Sequence, residues 1–268
     1  MRTLLINGAR LAVEEAGSGP AVLCLHAGVA DRRMWQPQWE WLSRHFRVVR
    51  YDQRGFGESP LPPGPFSLPR DALGVLDSLG IERATLIGCS MGGSSALHIA
   101  ASHPERVERL VLIGSGLYGY EPRVPEPPLL AEADRALEAK DFERLLEIEE
   151  AVWVVGPDRA RREVDPEFLA LCRAMNSTAL AYVGIQAESL ERATTDVAAL
   201  PEMAIPALVV VGTLDVPAIL DTARYLVGCL PAARLEEIAG AAHLPSLERP
   251  GEFNAILANW LGVPAPHA

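Results

Sequence analysis

The sequence contains little cysteine, and it lacks any long hydrophobic run. The four cysteines are widely scattered and show no Cys/Cys or Cys/His ligand spacing, so we expect free thiols in a reducing cytosol. No stretch reaches the roughly 18 apolar residues of a membrane span, and the apolar start of the chain is too short for a signal-peptide core. Together these absences predict a cytoplasmic protein without disulfides or a metal site.

Positive charge is also scarce. Lys and Arg number 24 against 35 Asp and Glu, which gives a net charge of −11, and Lys140 is the only lysine. Nucleic-acid binders need a basic surface, and anionic membranes repel acidic chains, so we expect neither as a partner. Hydrophobic residues make up 49% of the 268 residues, which is typical of a globular chain with a large core.

Short apolar runs alternate with helical patterns along most of the chain. The runs are apolar on consecutive residues, which is typical of strands buried on both faces of a parallel sheet. They cover 21–26, 47–51, 84–87, 109–113, 207–211 and, less strictly, 234–238. The helical patterns cover 71–79, 91–102, 218–229 and 252–261. The alternation predicts an α/β fold with a mostly parallel, doubly wound sheet, and Asn7-Gly8 predicts a hairpin before it.

One region breaks this alternation. Between residues 116 and 206 the chain opens with a proline-rich stretch and then carries helical patterns without a convincing buried strand. A helix should follow Asp141, its expected N-cap, and further helices fit 166–175 and 178–188. We therefore expect a sheet domain with an inserted helical lid. In this division the core comprises 1–115 and 207–268, and the lid comprises 116–206.

The segment Gly88-Cys89-Ser90-Met91-Gly92 has the pattern G-x-S-x-G between a predicted strand and a predicted helix. In that context the pattern is typical of a nucleophile elbow. The two glycines lack the Cβ atoms that would collide in so sharp a turn. Ser90 should then stand above the sheet at the positive end of the helix, ready to act as a nucleophile. The alternative is an ordinary helix-capping serine.

A serine hydroxyl needs a base to act as a nucleophile, and the base needs a partner that orients it. Two residues far downstream in the sequence fit these two roles. His243 lies in a small-residue loop after one predicted strand, and Asp215 follows another. Both loops should lie at the carboxyl edge of the sheet, within reach of Ser90, where the carboxylate orients the imidazole. A competing position for the acid, 114–116, reads Gly-Ser-Gly and holds no carboxylate. The alternatives are a surface histidine and a helix-capping aspartate.

Two backbone amides should form an oxyanion hole. One belongs to Met91, directly after the serine. The other belongs to Gly28, in the turn after the first buried strand, with Val29 as the alternative. Trp153 in the lid is a candidate substrate-binding residue, with ordinary lid packing as the competing interpretation. This chemistry requires no metal and no cofactor.

Several polar residues near these motifs are expected to support the structure. His26 should bond local backbone, Asp52 and Arg54 should brace their loop, and Cys89 should point away from the site into the sheet. None of the four is expected to react with substrate.

The motifs together resemble those of the α/β-hydrolase fold superfamily, in its single-lid branch with 3-oxoadipate enol-lactonases, arylesterases and cofactor-free haloperoxidases. Besides the elbow, His26-Ala27-Gly28 resembles the oxyanion turn of that family, although the family usually has glycine where this chain has Ala27. The segment 52–59, Asp-Gln-Arg-Gly-Phe-Gly-Glu-Ser, resembles the D-x-R-G-x-G-x-S motif. Residues 103–107, His-Pro-Glu-Arg-Val, resemble the link after the nucleophile helix.

The resemblance implies a serine hydrolase that cleaves small carboxylic esters or lactones through an acyl-enzyme on Ser90. The same triad could instead hydrolyse an enol-lactone, hydrolyse a carbon–carbon bond or carry out perhydrolysis. A third interpretation is a small-molecule receptor on the same scaffold that has no turnover. All three expect a small molecule as the partner.

Overall fold

A central sheet of eight strands organises the chain. The structure is a computed structural model, and it describes residues 1–125, 127–190 and 197–266. The sheet strands are β1 (Arg2–Ile6), β2 (Ala9–Ala16), β3 (Ala21–Leu25), β4 (Arg47–Tyr51), β6 (Ala84–Cys89), β7 (Val107–Ile113), β9 (Ala207–Gly212) and β10 (Ala233–Ile238). Two short strands, β5 (Gly64–Phe66) and β8 (Ala187–Ser189), form a separate pair.

The sheet order is β1-β2-β4-β3-β6-β7-β9-β10. The pairs β1–β2 and β2–β4 are antiparallel, and all the pairs from β4 to β10 are parallel. Asn7 and Gly8 both have positive φ, 45° and 80°, as a tight hairpin turn between twisted strands requires. The predicted α/β class, the mostly parallel sheet and the N-terminal hairpin are confirmed.

Helices cover both faces of this sheet. They are α1 (Gln36–Leu42), α2 (Leu68–Ser78), α3 (Met91–Ser102), α4 (Leu130–Glu138), α5 (Phe142–Glu149), α6 (Pro166–Asn176), α7 (Pro217–Cys229), α8 (Pro245–Glu248) and α9 (Pro250–Leu261). The position of β9 between two packed faces of the sheet explains why its sequence is apolar throughout. Val209 and Val211 pack into the core on one side, and Leu208 and Val210 pack into the core on the other.

The chain between β7 and β9, residues 116–206, contains α4, α5, α6 and β8 in its described part. The predicted N-cap Asp141 accepts a hydrogen bond from the Arg144 amide at 3.1 Å, which fixes the start of α5. Directly after α5, residues Glu150–Val155 form a π-helical turn. Within this segment α4 packs against α5, and both α5 and α6 contact the π-helical turn.

The helix predicted over 178–188 is wrong. A 3₁₀ turn, Ser177–Tyr182, occupies its first part, and Gly184 then takes a φ of 88° that no right-handed helix contains. The chain continues as β8, whose Ala187–Ser189 pairs in parallel with β5. No helix within the described residues is long and apolar enough to cross a membrane.

Candidate active site

Ser90 lies in the turn from β6 into α3, with φ 51° and ψ −113°. Its amide bonds to the Ile113 carbonyl of the neighbouring strand at 2.8 Å. A Cβ on Gly88 would stand 2.4 Å from the Gly92 carbonyl oxygen, and one on Gly92 would stand 2.2 Å from the Leu25 carbonyl oxygen. The turn therefore closes only with glycine at both positions, and the close packing around it holds Ser90 in its unusual conformation.

His243 and Asp215 form a buried pair. The imidazole Nδ1 lies 2.9 Å from Asp215 Oδ2 and 3.0 Å from Oδ1, and both side chains are almost inaccessible to solvent. Asp215 Oδ1 also accepts from the Val216 amide at 2.7 Å. Since Nδ1 donates to the carboxylate, Nε2 of a neutral imidazole is left as a proton acceptor. Asp215 does not cap α7, because Val216 stands at that position.

The loops that carry the three predicted catalytic residues meet at the carboxyl ends of β6, β7 and β9. Gly114, directly after β7, lies against the pair: a Cβ there would stand 3.1 Å from His243 Nδ1 and 3.2 Å from Asp215 Oδ2. The Cys89 thiol, one residue before Ser90, lies 3.7 Å from the His243 carbonyl oxygen. No hydrogen bond joins Ser90 Oγ to the imidazole in the described part of the chain.

Cys89 itself is fully buried, as expected for a side chain that points into the sheet. Burial, reinforced by the nearby Asp215 carboxylate, raises the pKa of the Cys89 thiol well above its usual range. The residue therefore stays protonated and does not compete with Ser90 as a nucleophile.

The turn after β3 faces the start of α3. A Cβ on Gly28 would lie 3.8 Å from Met91 Sδ, so the two predicted oxyanion donors are neighbours. Within the turn, the Ala27 amide contacts a methionine sulfur at 3.4 Å and the Ala30 amide bonds to the Ala27 carbonyl at 3.1 Å. The Gly28, Val29 and Met91 amides have no internal acceptor among the described residues, and each could donate to a substrate.

His26 has the structural role predicted for it. Its Nε2 accepts from the Gln53 amide at 2.8 Å, and its Nδ1 donates to the Ala27 carbonyl at 2.8 Å. Burial lowers the pKa of His26, so the ring stays neutral and both bonds persist. The ring thereby fixes the start of the oxyanion turn.

Asp52 and Arg54 brace the loop that follows β4, also as predicted. Asp52 accepts from the Arg32 and Glu58 amides at 2.9 and 2.8 Å and pairs with the Arg32 guanidinium. Arg54 donates two bonds to the Asp71 carboxylate, at 2.6 and 2.7 Å, and this pair is buried. Each of the two charges is thus balanced by a side chain from outside the loop, Arg32 for Asp52 and Asp71 for Arg54.

A cavity of about 430 Å³ opens beside Ser90. The side chains and backbone that line it are mostly apolar or small: Arg54, Phe56, Phe66, Leu68, Ser90, Met91, Ser94, Gly116, Tyr118 and Ser189. Phe66 and Ser189 come from the β5–β8 pair. Arg54, Phe56, Ser90 and Met91 lie within the motifs seen in the sequence, but Phe66 and Ser189 were not predicted, because strands of three residues carry no periodic signal.

Trp153 is not among the residues that line this cavity. Its ring lies instead against the His243 imidazole, with ring centroids 4.7 Å apart and an interplanar angle of 46°. The π-helical turn carries this side chain toward the base. Such turns often occur at functional sites.

A larger cavity, of about 710 Å³, lies between α5, α6 and the π-helical turn. Glutamates and arginines on its wall neutralise one another: Arg161 pairs with Glu150 at 2.6 Å, and Arg173 pairs with Glu143. None of the predicted catalytic residues lines it. Its size alone therefore does not make it a site of reaction.

Comparison with known proteins identifies the scaffold. The sequence pattern of the alpha/beta hydrolase fold family matches residues 20–250. A 2-hydroxymuconate semialdehyde hydrolase of Pseudomonas putida is 30% identical, with 97% of this chain and 93% of the relative aligned. A pimeloyl acyl-carrier protein methyl ester esterase of Aeromonas hydrophila subsp. hydrophila is 30% identical, with 94% and 99% aligned. The crystal structure of an enol-lactonase from Burkholderia xenovorans LB400 has a TM-score of 0.78 and 30% identity, with 97% and 100% covered.

Proposed function

The chain belongs to the alpha/beta hydrolase fold family, and we propose that it is a serine hydrolase of small carboxylic esters or lactones. In this proposal Ser90 forms the acyl-enzyme, His243 is the base and Asp215 orients it. The proposal rests above all on the backbone of Ser90.

A non-glycine residue at positive φ costs about 1–3 kcal/mol and persists only where its surroundings impose it. Three such residues occur in the described part of the chain: Asn7, Ser90 and Lys140. Asn7 and Lys140 lie in turns at the surface. Ser90 is the one in a tightly packed turn between a strand and a helix, where the strain serves to expose a hydroxyl.

In the proposed reaction Ser90 Oγ attacks the acyl carbonyl while His243 Nε2 takes its proton. The imidazolium then protonates the leaving alkoxide, and water activated by His243 releases the acid. The Asp215 carboxylate at 2.9 Å from Nδ1 stabilises the imidazolium. Hydrogen bonds between nucleophile and base are often unformed without substrate, so their absence here is compatible with this role.

The oxyanion that forms in this step needs two donors. The Gly28 and Met91 amides are the proposed pair, because their residues are neighbours and neither amide has an internal acceptor among the described residues. The Val29 amide is the alternative to Gly28. Loss of one such donor typically costs about 3–4 kcal/mol in the transition state.

The cavity beside Ser90 supports an uncharged substrate of modest size. Its volume of about 430 Å³ lies toward the low end of the roughly 300–1,000 Å³ of small-molecule sites. Arg54 is the one charged residue among the described residues that line it, and Asp71 neutralises that guanidinium. With no unpaired charge on the part of the wall formed by described residues, we favour a neutral ester or lactone over a carboxylate-bearing substrate.

The division into a core (1–115 and 207–268) and a lid (116–206) fits this function. Tyr118 and Ser189, from the proposed lid, line the cavity beside Ser90, and Trp153 covers the proposed base. We propose that the lid shapes the substrate site.

Hydrolysis of a carbon–carbon bond is the second candidate. It is favoured by the similarity to a 2-hydroxymuconate semialdehyde hydrolase along 97% of the chain. The same three residues would act, and only the substrate would differ.

The test is Ser90→Ala, assayed on p-nitrophenyl esters of increasing chain length, on simple lactones and on a diketone. We expect hydrolysis to fall by about 10⁴-fold or more, because the variant has no nucleophile. Ser102→Ala is the matched control: Ser102 lies on the same helix, is exposed, and among the described residues bonds only the His98 carbonyl and the His103 ring.

Activity of Ser90→Ala equal to that of the parent would refute the acyl-enzyme. A parent that hydrolyses the diketone and none of the esters or lactones would favour the second candidate. A parent that binds these compounds without turnover would favour a receptor.

A further inference from the structure

The loop that carries the proposed base is held by side chains that do not belong to the triad. We propose that Arg159 is a positioning residue for His243, and that it acts through Glu248. Together they join the π-helical turn (Glu150–Val155) to the loop that carries His243. The inference depends on the proposed function, because it concerns how well His243 serves as a base.

Arg159 bonds to both segments at once. On the side of the π-helical turn, its Nε donates to the Val155 carbonyl at 2.8 Å and its Nη2 donates to the Val154 carbonyl at 3.3 Å. On the side of the histidine loop, its Nη1 donates to the Gly240 carbonyl at 3.0 Å and to Glu248 Oε1 at 2.5 Å. A planar guanidinium can make such a bridge because its donors point in fixed, divergent directions.

Glu248 passes this constraint to the base. It ends α8, just after the histidine loop, and its second oxygen accepts from the Ala242 amide at 2.8 Å. Ala242 directly precedes His243, so the carboxylate fixes the backbone on which the imidazole is mounted. The Arg159 and Glu248 side chains are only 9% and 7% exposed, and a pair buried to this degree is rigid and weakly screened.

The π-helical turn also contacts the imidazole itself. Trp153, from the middle of the turn, packs against the His243 ring. Gly156 ends the turn with a φ of 90°, and a Cβ there would stand 2.5 Å from the Leu214 carbonyl oxygen and 3.2 Å from Ala242 Cβ. The turn is therefore pressed against the loops of both Asp215 and His243. Arg159, bonded to its last two carbonyls, keeps it there.

This arrangement separates positioning from substrate binding. Neither Arg159 nor Glu248 lines the cavity beside Ser90, so their loss should leave substrate affinity almost unchanged. A small misplacement of a catalytic group can lower the rate by about 100-fold. The predicted signature is a fall in kcat with little change in KM.

The experiment compares Arg159→Lys and Glu248→Gln with the parent on the best ester substrate. Lysine keeps the charge and loses the fork, and glutamine keeps the shape and loses the charge. We expect kcat to fall by about 10- to 100-fold in each, with KM within about twofold. The double variant should lose little more than either single variant, because both break one connection.

Arg161→Lys is the matched control. Arg161 belongs to the same stretch of chain but is largely exposed and pairs with Glu150, away from the histidine loop. Its kcat should stay within about twofold of the parent value, as for most surface substitutions. Thermal unfolding of each variant gives the folded fraction by which kcat is corrected.

Hydrogen exchange at the Ala242 amide tests the same link without any substrate. We expect faster exchange in Arg159→Lys and Glu248→Gln and no change in Arg161→Lys. If the parent hydrolyses no ester or lactone, the proposed function fails while this measurement still decides whether Arg159 holds the loop. Unchanged exchange, unchanged kcat after correction for folding, or a rise confined to KM would each overturn the role proposed for Arg159.

Discussion

The two sides of the candidate site are held by different means. On the serine side, main-chain packing fixes Ser90: Gly88 and Gly92 admit neighbouring carbonyls to within 2.4 and 2.2 Å of where a Cβ would be. On the histidine side, other side chains hold the imidazole: Asp215 bonds to its Nδ1, and the Trp153 ring packs against it. The serine side depends on the shape of a short segment, and the histidine side depends on contacts between distant ones.

The difference shows in distances along the chain. The two glycines that shape the elbow lie within two residues of Ser90. The bonds from Arg159 to the Gly240 carbonyl and to Glu248 span 81 and 89 positions. Substitutions of the glycines that shape the serine turn should therefore affect folding, and substitutions of the residues that hold His243 should affect the rate while the fold survives.

Among variants that keep Ser90, the largest expected effect tests the histidine side. Asp215→Asn should lower kcat by about 10⁴-fold, because an amide can no longer stabilise the imidazolium and can stabilise the wrong tautomer. The circular dichroism spectrum and the unfolding midpoint should stay close to those of the parent.

Asp221→Asn is its control. It removes the same charge from α7, where Asp221 accepts from the Tyr120 hydroxyl and the Arg123 amide. Similar activity losses in both aspartate variants would contradict a specific role for Asp215.

The next effect tests the serine side. Gly88→Ala would place a Cβ 2.4 Å from a backbone oxygen that cannot give way. We expect the free energy of unfolding to fall by about 3 kcal/mol or more, the upper range for overpacking, as measured by urea denaturation. Gly228→Ala is the matched control, since a Cβ there meets nothing within 4 Å. Within α7 it should stabilise the protein by about 0.5–1 kcal/mol. Equal stability of the two variants would contradict the conclusion that close main-chain packing fixes the serine side.

The smallest effect concerns pH and the helix that leads into the π-helical turn. Burial raises the pKa of Glu149, and the Asn176 amide donates to its carboxylate at 2.7 Å. The folded state therefore holds a proton that the unfolded state releases from about pH 4.5 upward. As the pH rises through the interval up to the raised pKa, the free energy of unfolding should fall.

Glu149→Gln should abolish that decline and, above the interval, be more stable than the parent by up to about 1 kcal/mol. Denaturant unfolding between pH 4 and 8 measures the effect. Glu147→Gln, an exposed residue of the same helix, controls for the loss of one negative charge. A parallel decline in the parent and in Glu149→Gln would show that other groups cause it.

The parts of this molecule that the sequence predicts are those whose cause is local. Every residue of β9 is buried, so an unbroken apolar run in the sequence predicts that strand. The glycines around Ser90 and the Asn7-Gly8 turn reflect steric needs of their own backbone. Asp215 could be paired with His243 because both follow strands whose carboxyl ends meet at one edge.

The features that the sequence did not predict depend on contacts between residues that are far apart in the chain. Strands β5 and β8 have three residues each and are stabilised by pairing with each other across the chain. The helix predicted over 178–188 failed because Gly184 and that pairing outweigh the helical pattern of its apolar residues. The bridge made by Arg159 has no sequence signal, because its carbonyl partners could be of any residue type.

The burial of three of the four cysteines determines how the protein reacts with alkylating reagents. Iodoacetamide and maleimides react with thiolates, but burial raises the pKa of Cys24 to about 12 and that of Cys172 also upward. Cys89, adjacent to Ser90, is equally shielded. An introduced surface cysteine can therefore be labelled with little background from these three thiols, whereas the partly exposed Cys229 would first be replaced.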